Sequence, residues 1–153
     1  MELVEKMKLL NRFVTKYLLD LGFNTYHNYQ IKLDDRKKGT RLTLGKNVST
    51  ENAIFNTVSG SITVGDETGF GYDVMVLTGQ HLFDSEKYMG IPEEGNDIVI
   101  GKCCFIGSRT IIIKNVTIGD YVLIGAGSVV TKDIPSGCFA AGNPARVIRT
   151  EGK

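Results

Sequence analysis

The sequence of 153 residues lacks the features that mark membrane, secreted or nucleic-acid-binding proteins. No apolar run approaches the ~20 residues that a membrane-spanning helix requires. Charged residues such as Glu2, Glu5 and Lys6 interrupt the apolar residues at the N-terminus, which is unlike the layout of a signal peptide. A formal net charge of +1 gives no reason to expect a nucleic acid or an anionic membrane as a partner. These absences predict a cytoplasmic protein.

Cysteine and histidine are also scarce, with three and two residues respectively. The adjacent Cys103 and Cys104 are predicted to point to opposite faces of a strand, and Cys138 makes the count odd. No zinc-type pairing is visible, so we interpret the three as reduced thiols, with Cys104 in the core. His27 and His81 are far apart, and a site with three histidine ligands is hard to assemble from them even between copies of the chain. We therefore expect no metal.

The most regular feature of the sequence is a six-residue repeat from Ile100 to Pro135, which runs through six hexads without a slip. An aliphatic residue opens every hexad: Ile100, Ile106, Ile112, Ile118, Ile124 and Val130. Glycine follows in four of them, at Gly101, Gly107, Gly119 and Gly125. The fifth position is small or β-branched throughout. A strict period of six fits neither a helix nor a long strand, and it predicts short strands and turns repeated around a prism, a β-solenoid.

The same pattern is weaker between Leu42 and Leu82. Hexads can be placed there, but the frame slips by two residues beside Asn56. Such a slip is typical of a bulge, or of a corner that differs from its neighbours. The pattern stops after Leu82 and resumes at Ile98. This gap predicts a loop insertion at about residues 83–97, where repeat proteins often carry a binding function.

These patterns divide the chain into three segments. Residues 1–41 are predicted to hold a short N-terminal α-helix and a linker, because apolar residues recur every three or four positions up to Leu21 and Gly22 provides a stop. Residues 42–138 form the solenoid. Residues 139–153 form a C-terminal tail.

The ladder, the segment GAGSVVTKDIPSG and the ending AAGNPARVIR together resemble the hexapeptide-repeat acyltransferases. The likeness is to the galactoside and maltose O-acetyltransferases and the polysaccharide-sugar O-acetyltransferases, and it covers about residues 42–150. It implies an all-β solenoid of the left-handed parallel β-helix type with three hexads per coil. It also implies a homotrimer with active sites between subunits, acetyl-CoA as co-substrate, and acetyl transfer to the hydroxyl of a small-molecule sugar acceptor.

His81 is the candidate catalytic residue. The family's catalytic histidine ends a hexad just before a loop insertion, and His81 ends the hexad that begins at Val76, directly before the predicted loop. The segment Thr78-Gly79-Gln80-His81 also resembles the family's TG-x-H variant. A neutral imidazole can take the proton of a sugar hydroxyl as its oxygen attacks a thioester carbonyl, and no acyl-enzyme is needed.

Asn56, in the segment IFNT, resembles an asparagine with which the family holds the acceptor sugar. The paired aspartates of the galactoside enzymes have no counterpart before Val64, where Ser59-Gly60-Ser61 stands instead. A turn asparagine inside the slipped frame fits the sequence equally well. Both interpretations stay open at this stage.

The resemblance also implies residues for coenzyme A, and it makes the tail a cofactor-binding segment. The implied residues are Ser108, Ala126, Thr131, Lys132, Arg146 and Arg149. The first two follow ladder glycines, where small residues would form a groove for the thin pantetheine arm. Thr131 and Lys132 would lie near the far end of the cofactor, and the two arginines would meet its phosphates.

Three alternatives remain. N-acylation of a nucleotide-linked amino sugar would use the same groove and base, with the basic cluster at residues 36–41 binding a diphosphate, although that cluster also fits a solvated loop. A zinc hydratase of the γ-carbonic-anhydrase kind would use the same solenoid but needs more histidines than the chain has. A solenoid without catalytic function would bind no acetyl-CoA.

Overall fold

A computed structural model describes residues 30–32, 41–79, 81–83, 88–90 and 95–150. In this part of the chain the secondary structure consists of short β-strands, and no helix is present. The predicted N-terminal helix lies outside the described residues. No helix in the described part is long and apolar enough to cross a membrane.

Most of the strands form three sheets. Sheet A contains, in spatial order, β1 (Gln30–Lys32), β3 (Ile54–Asn56), β6 (Met75–Leu77), β11 (Ile111–Ile113) and β14 (Val129–Val130). Sheet B contains β12 (Val116–Ile118), β9 (Ile98–Ile100), β4 (Ile62–Val64) and β2 (Leu42–Leu44). Sheet C contains β16 (Ala145–Thr150), β15 (Cys138–Gly142), β13 (Leu123–Ile124), β10 (Phe105–Ile106) and β5 (Gly69–Phe70). Within these three sheets the strands pair in parallel, except for β15 and β16, which are antiparallel.

The chain visits the sheets in the order B, C, A and then returns to B one coil further along. Ile98 of β9 pairs with Val116 of β12, eighteen residues later, so a regular coil contains three hexads. We call the connection from B to C the first corner, from C to A the second, and from A to B the third. This three-sided parallel β-helix confirms the predicted all-β solenoid.

Aliphatic side chains from all three sheets fill the interior of the prism. The residues that open the six hexads, from Ile100 to Val130, are each at most 1% exposed. Cys104 is 3% exposed, as predicted for a core position, and burial raises the pKa of its thiol. The period of six therefore reflects two inward positions in each hexad, the first and the fifth.

Glycines at the corners allow successive coils to stack. A methyl group in place of the Gly107 hydrogen would lie 2.5 Å from the backbone nitrogen of Ala126 in the next coil, and Gly101 has equally close contacts with the backbone of Gly119. The space beside these glycines is thus filled by the next coil. The residues that follow these glycines are partly or fully exposed: Lys102, Ser108, Asp120 and Ala126.

The frame slip beside Asn56 has a structural explanation. Leu42 pairs with Ile62, twenty residues later, where a regular coil takes eighteen. The second corner of this coil is one residue shorter than in the next coil. Its third corner, residues 57–61, has three residues more than the two that connect β11 to β12. The predicted irregular corner is therefore present, and it directly follows Asn56.

The loop insertion leaves the prism after β6 and carries an antiparallel hairpin of β7 (Leu82–Phe83) and β8 (Tyr88–Gly90). It returns to the prism before β9. At the other end of the solenoid, β15 continues sheet C, and β16 folds back on it after a turn with a cis peptide bond between Asn143 and Pro144.

Candidate active site

His81 lies at the third corner of the prism, where the insertion departs. Its side chain is exposed, and β7 begins at the next residue. The preceding strand, β6, is held between β3 and β11 in sheet A. The chain therefore leads from a rigid strand through Thr78 and Gly79 to an imidazole at the surface.

Hydrogen bonds fix this corner to the coil before it. The Thr78 hydroxyl donates to the carbonyl oxygen of Asn56 at 2.8 Å and accepts from the backbone N–H of Ser59 at 3.1 Å. The backbone N–H of Thr78 also donates to the Asn56 carbonyl oxygen, at 3.0 Å. Thr78 is completely buried. One threonine thus links the extended corner 57–61 to the segment that carries His81.

Asn56 lies opposite this segment. Its register partner is Leu77, and its side-chain amide lies beside the Cα atom of Gly79, where a methyl group would be 3.5 Å from the Asn56 Oδ1 atom. Oδ1 accepts a hydrogen bond from the backbone N–H of Val58 at 3.1 Å, so Asn56 does act as a turn asparagine. Its amide nitrogen is a separate donor, and contact with a sugar stays a prediction.

The returning end of the insertion is bound to the same corner. Asn96 donates its backbone N–H to the carbonyl oxygen of Ser59 at 3.2 Å, and Asp97 Oδ1 accepts from the N–H and the hydroxyl of Ser61 at 2.7 and 2.9 Å. These hydrogen bonds, with the Ser61 N–H contributing most, lower the pKa of the Asp97 carboxyl, and the charge of Arg41 adds to the effect. Both ends of the insertion are therefore anchored to the corner 57–61, through Thr78 at one end and through Asn96 and Asp97 at the other.

Ser108 and Ala126 lie at the second corner, in successive coils. Ser108 packs over Gly71, and its hydroxyl accepts a hydrogen bond from the backbone N–H of Tyr72 at 3.1 Å. Ala126 packs over Gly107 in the same way. The two residues that the resemblance implied for the pantetheine arm thus share one edge of the prism.

Arg146 extends that edge. It pairs with Ala141 in the β15–β16 hairpin, and Ala141 packs on Gly125, the neighbour of Ala126. The turn is held to the last regular coil by the Gly142 N–H, which donates to the Ser128 hydroxyl at 3.2 Å. The Arg146 guanidinium is exposed and donates to the carbonyl oxygen of Ala145 at 2.9 Å. A cation therefore stands at the end of the Ser108–Ala126 edge.

Thr131 and Lys132 lie at the third corner instead. Val130 pairs with Ile112, so Thr131 falls beside Ile113 on the outer face of sheet A, in line with Leu77 and Asn56. Strands are about 4.8 Å apart, so Asn56 and Thr131 are separated by about 14 Å. Lys132 is exposed on the same corner as His81. Within one chain, sheet A separates this corner from the Ser108–Ala126 edge.

Arg149 has a third location, on the outer face of sheet C. It pairs with Phe139 and borders a shallow groove of about 170 Å³. The groove is lined by Cys103, Phe105, Tyr121, Val122, Leu123, Cys138, Phe139 and Arg149. The six predicted coenzyme residues therefore occupy two corners and one face, and a single chain does not bring them together.

Two features of the site were missed from the sequence. The first is the Thr78 bridge, a buried threonine at the third position of its hexad, where the ladder from Ile100 carries residues that are not buried. The second is the outer face of sheet A, which is apolar at Ile54, Met75, Leu77, Ile111, Ile113 and Val129. In the sequence this apolar face is indicated by an aliphatic residue on each side of the buried residue of the strand, as in Ile111–Ile113. By contrast, the outer face of sheet B presents Thr43, Thr63, Val99 and Thr117.

Among the described residues, no three His, Cys, Asp or Glu side chains are grouped so that they could hold a metal ion. The third corner and the strand ends beside it present the exposed imidazole of His81, the side-chain amide of Asn56 and the ammonium group of Lys132. Such a set can move a proton and bind polar or anionic groups.

Comparisons with known proteins bear on this arrangement. The family model described as bacterial transferase hexapeptide (six repeats) matches residues 97–132. A protein of Staphylococcus aureus (strain COL), provisionally named an acetyltransferase, is 36% identical over 136 residues, which cover 88% of this chain and 68% of that protein. The galactoside O-acetyltransferase of Escherichia coli (strain K12) is 36% identical over 111 residues, or 72% of this chain, and the chain spans 55% of its length.

A solved structure supports the same likeness. A galactoside acetyltransferase in complex with coenzyme A superimposes with a TM-score of 0.65 at 31% identity, over 82% of this chain and 64% of that one.

Proposed function

Because this chain belongs to the hexapeptide-repeat acyltransferases, we propose that it transfers an acetyl group from acetyl-CoA to a hydroxyl of a sugar. The observation that carries the proposal is the exposed His81 at the third corner, four residues after Leu77, which pairs with Asn56 where β6 lies beside β3. The fold of the family implies a left-handed coil. The relatives named for galactoside O-acetylation support a saccharide acceptor.

His81 acts as the general base. Its neutral imidazole accepts the proton of the acceptor hydroxyl as the oxygen attacks the thioester carbonyl, and a new C–O bond forms. The tetrahedral intermediate then collapses, the C–S bond breaks, and the imidazolium returns its proton to the leaving thiolate. Such a base contributes roughly 10²–10⁴ in rate. Asn56 orients the acceptor through its amide nitrogen.

Coenzyme A fits the second corner. Ser108 and Ala126 are small and face outward in successive coils, so a thin pantetheine arm can run close to the backbone along this edge. Arg146 stands at the end of the edge, where a guanidinium can bind phosphate oxygens bidentately. Thr131, Lys132 and Arg149 complete the cofactor site from other parts of the surface.

A homotrimer with active sites between subunits explains why these residues are apart in one chain. The second corner carries the pantetheine edge, and the third carries His81 and Lys132. Sheet A lies between them, and its outer face is apolar. If that face packs on a neighbouring copy, the second corner of one subunit approaches the third corner of the next. The separation within one chain and the apolar face both support this assembly.

The test is thiol release from acetyl-CoA with a panel of sugars. We expect turnover with at least one saccharide and a loss of about 10²–10⁴ in His81→Ala. His27→Ala, which removes the other histidine, serves as the control and should retain activity. Undiminished turnover in His81→Ala would refute the role of His81.

The same panel separates the proposal from N-acylation. Acceptance of amino sugars alone would replace O-acetylation with N-acylation, and failure of acetyl-CoA to bind in calorimetry would favour a solenoid without catalytic function. The cytoplasmic location and the segment boundaries 1–41, 42–138 and 139–153 stay predictions.

A further inference from the structure

Thr78 is completely buried three residues before His81, and its hydroxyl makes two hydrogen bonds. The donated bond goes back to Asn56, and the accepted bond comes from Ser59. The two partners flank the extended third corner of the preceding coil. The hydroxyl therefore sets both the position of β6 relative to Asn56 and the path of the segment that leaves toward His81.

From this geometry we infer that Thr78 is a positioning residue for His81, acting through the backbone of the third corner. The inference rests on the proposed function, in which His81 is the base and Asn56 orients the acceptor. Because Thr78 is completely buried, it contacts neither acetyl-CoA nor the acceptor sugar. Its hydroxyl couples the segment that carries the base to the residue that holds the acceptor, and so it determines the distance between them.

The same chain contains a matched reference in Thr68. Thr68 is also completely buried, and its hydroxyl donates to the carbonyl oxygen of Gly101 at 2.8 Å and accepts from the N–H of Cys104 at 3.1 Å. It therefore forms the same pair of bonds between two coils, but at the first corner. Loss of either hydroxyl leaves one buried N–H without its acceptor, which costs similar stability.

The experiment compares Thr78→Val with Thr68→Val at a temperature well below the unfolding transition of both. Small displacements of reacting groups are expensive, so Thr78→Val is expected to lower kcat by about 10-fold or more. KM for acetyl-CoA should stay within about two-fold, because the second corner is unchanged. Thr68→Val should lose the same stability and keep kcat. Thr78→Ser, which retains the hydroxyl, should restore kcat.

A second readout does not depend on activity. In a His27→Ala background the chain has one histidine, so a single imidazole ring signal reports His81 in NMR spectra. We expect Thr78→Val to shift that signal, and Thr68→Val to leave it unchanged. Equal kcat in the two valine variants, together with an unmoved ring signal, would overturn the inference. An inactive wild type with a ring signal that moves only in Thr78→Val would refute the proposed function and leave the positioning role supported.

Discussion

At the scale of single residues, the corners are strained and the strain is offset by bonds between coils. Cys103, Arg109 and Tyr121 adopt left-handed φ values of 53°, 59° and 58°. This conformation costs roughly 1–2 kcal/mol for a residue with a Cβ atom. Each of these residues donates its N–H to a carbonyl oxygen of the preceding coil at 2.7–2.9 Å. Stacking therefore imposes the turn, and no glycine is needed at these positions.

Asp97 supports a prediction about acid stability. The hydrogen bonds from Ser61 lower its pKa below the ordinary value of 3.8, so the carboxylate stabilises the fold above that value. The contribution is lost as the pH falls through the lowered pKa. Asp97→Asn is expected to lose about 0.5 kcal/mol at pH 7, a small amount because the side chain is exposed. The loss should shrink below about pH 4, where the unfolded chain begins to bind the proton before the folded chain does.

Urea unfolding of the two proteins at pH 7, 5 and 3 measures this difference. A loss that is as large at pH 3 as at pH 7 would show that the charge of Asp97 is not its source.

At the scale of elements, the close approach of successive coils dictates the ladder glycines. A side chain at Gly107 would meet the backbone of the next coil, which cannot move without disturbing the sheets on either side. Gly69 differs, since a methyl group there would lie 3.4 Å from a ring atom of Phe105, a half-exposed side chain. In the sequence Gly107 follows the aliphatic residue that opens a hexad and Gly69 precedes Phe70, and the stacked coils show what each glycine contacts.

We predict that Gly107→Ala lowers the free energy of unfolding by about 1–3 kcal/mol, as expected of overpacking against backbone. Gly69→Ala, the control, should stay within about 0.5 kcal/mol. Urea or thermal unfolding measures both. An equal loss in the two variants would contradict this account of coil stacking.

At the scale of the whole molecule, the outer faces of the prism differ in character. Sheet A presents aliphatic side chains on every strand whose side chains are described, and sheet B presents mainly threonine. Contiguous apolar surface of this kind marks an interaction site. Since sheet A also separates the two groups of site residues, assembly through this face would both cover it and complete the site.

Ile113→Glu is therefore expected to convert a trimer into single chains of 16.8 kDa and to abolish acetyl transfer, because it places a charge within the interface. Thr63→Glu, on the outer face of sheet B, should leave both the trimer and the activity intact. Sedimentation or light scattering gives the mass. A wild type that is monomeric, or an Ile113→Glu variant that stays trimeric, would refute the proposed interface.

Much of the fold could be predicted from the sequence because each hexad buries the aliphatic side chain that opens it. The period from Ile100 to Val130 is a local pattern, and the structure confirms it residue by residue. The frame slip beside Asn56 also indicated an irregular corner. The second corner is one residue shorter and the third corner three residues longer than in a regular coil, so the sequence showed only the net slip of two.

The sequence by itself determined the repeat, the buried aliphatic residues from Ile100 to Val130 and the chemical groups available. These groups include His81 directly before the insertion and Arg146 and Arg149 in the last segment. Only the tertiary structure decided which corner each group occupies, that Thr78 joins the His81 segment to Asn56, and that sheet A divides the coenzyme residues. The reason is that paired residues of neighbouring coils are sixteen or more residues apart in sequence. Local periodicity specifies which side chains turn inward, whereas contacts between coils depend on how every corner is built.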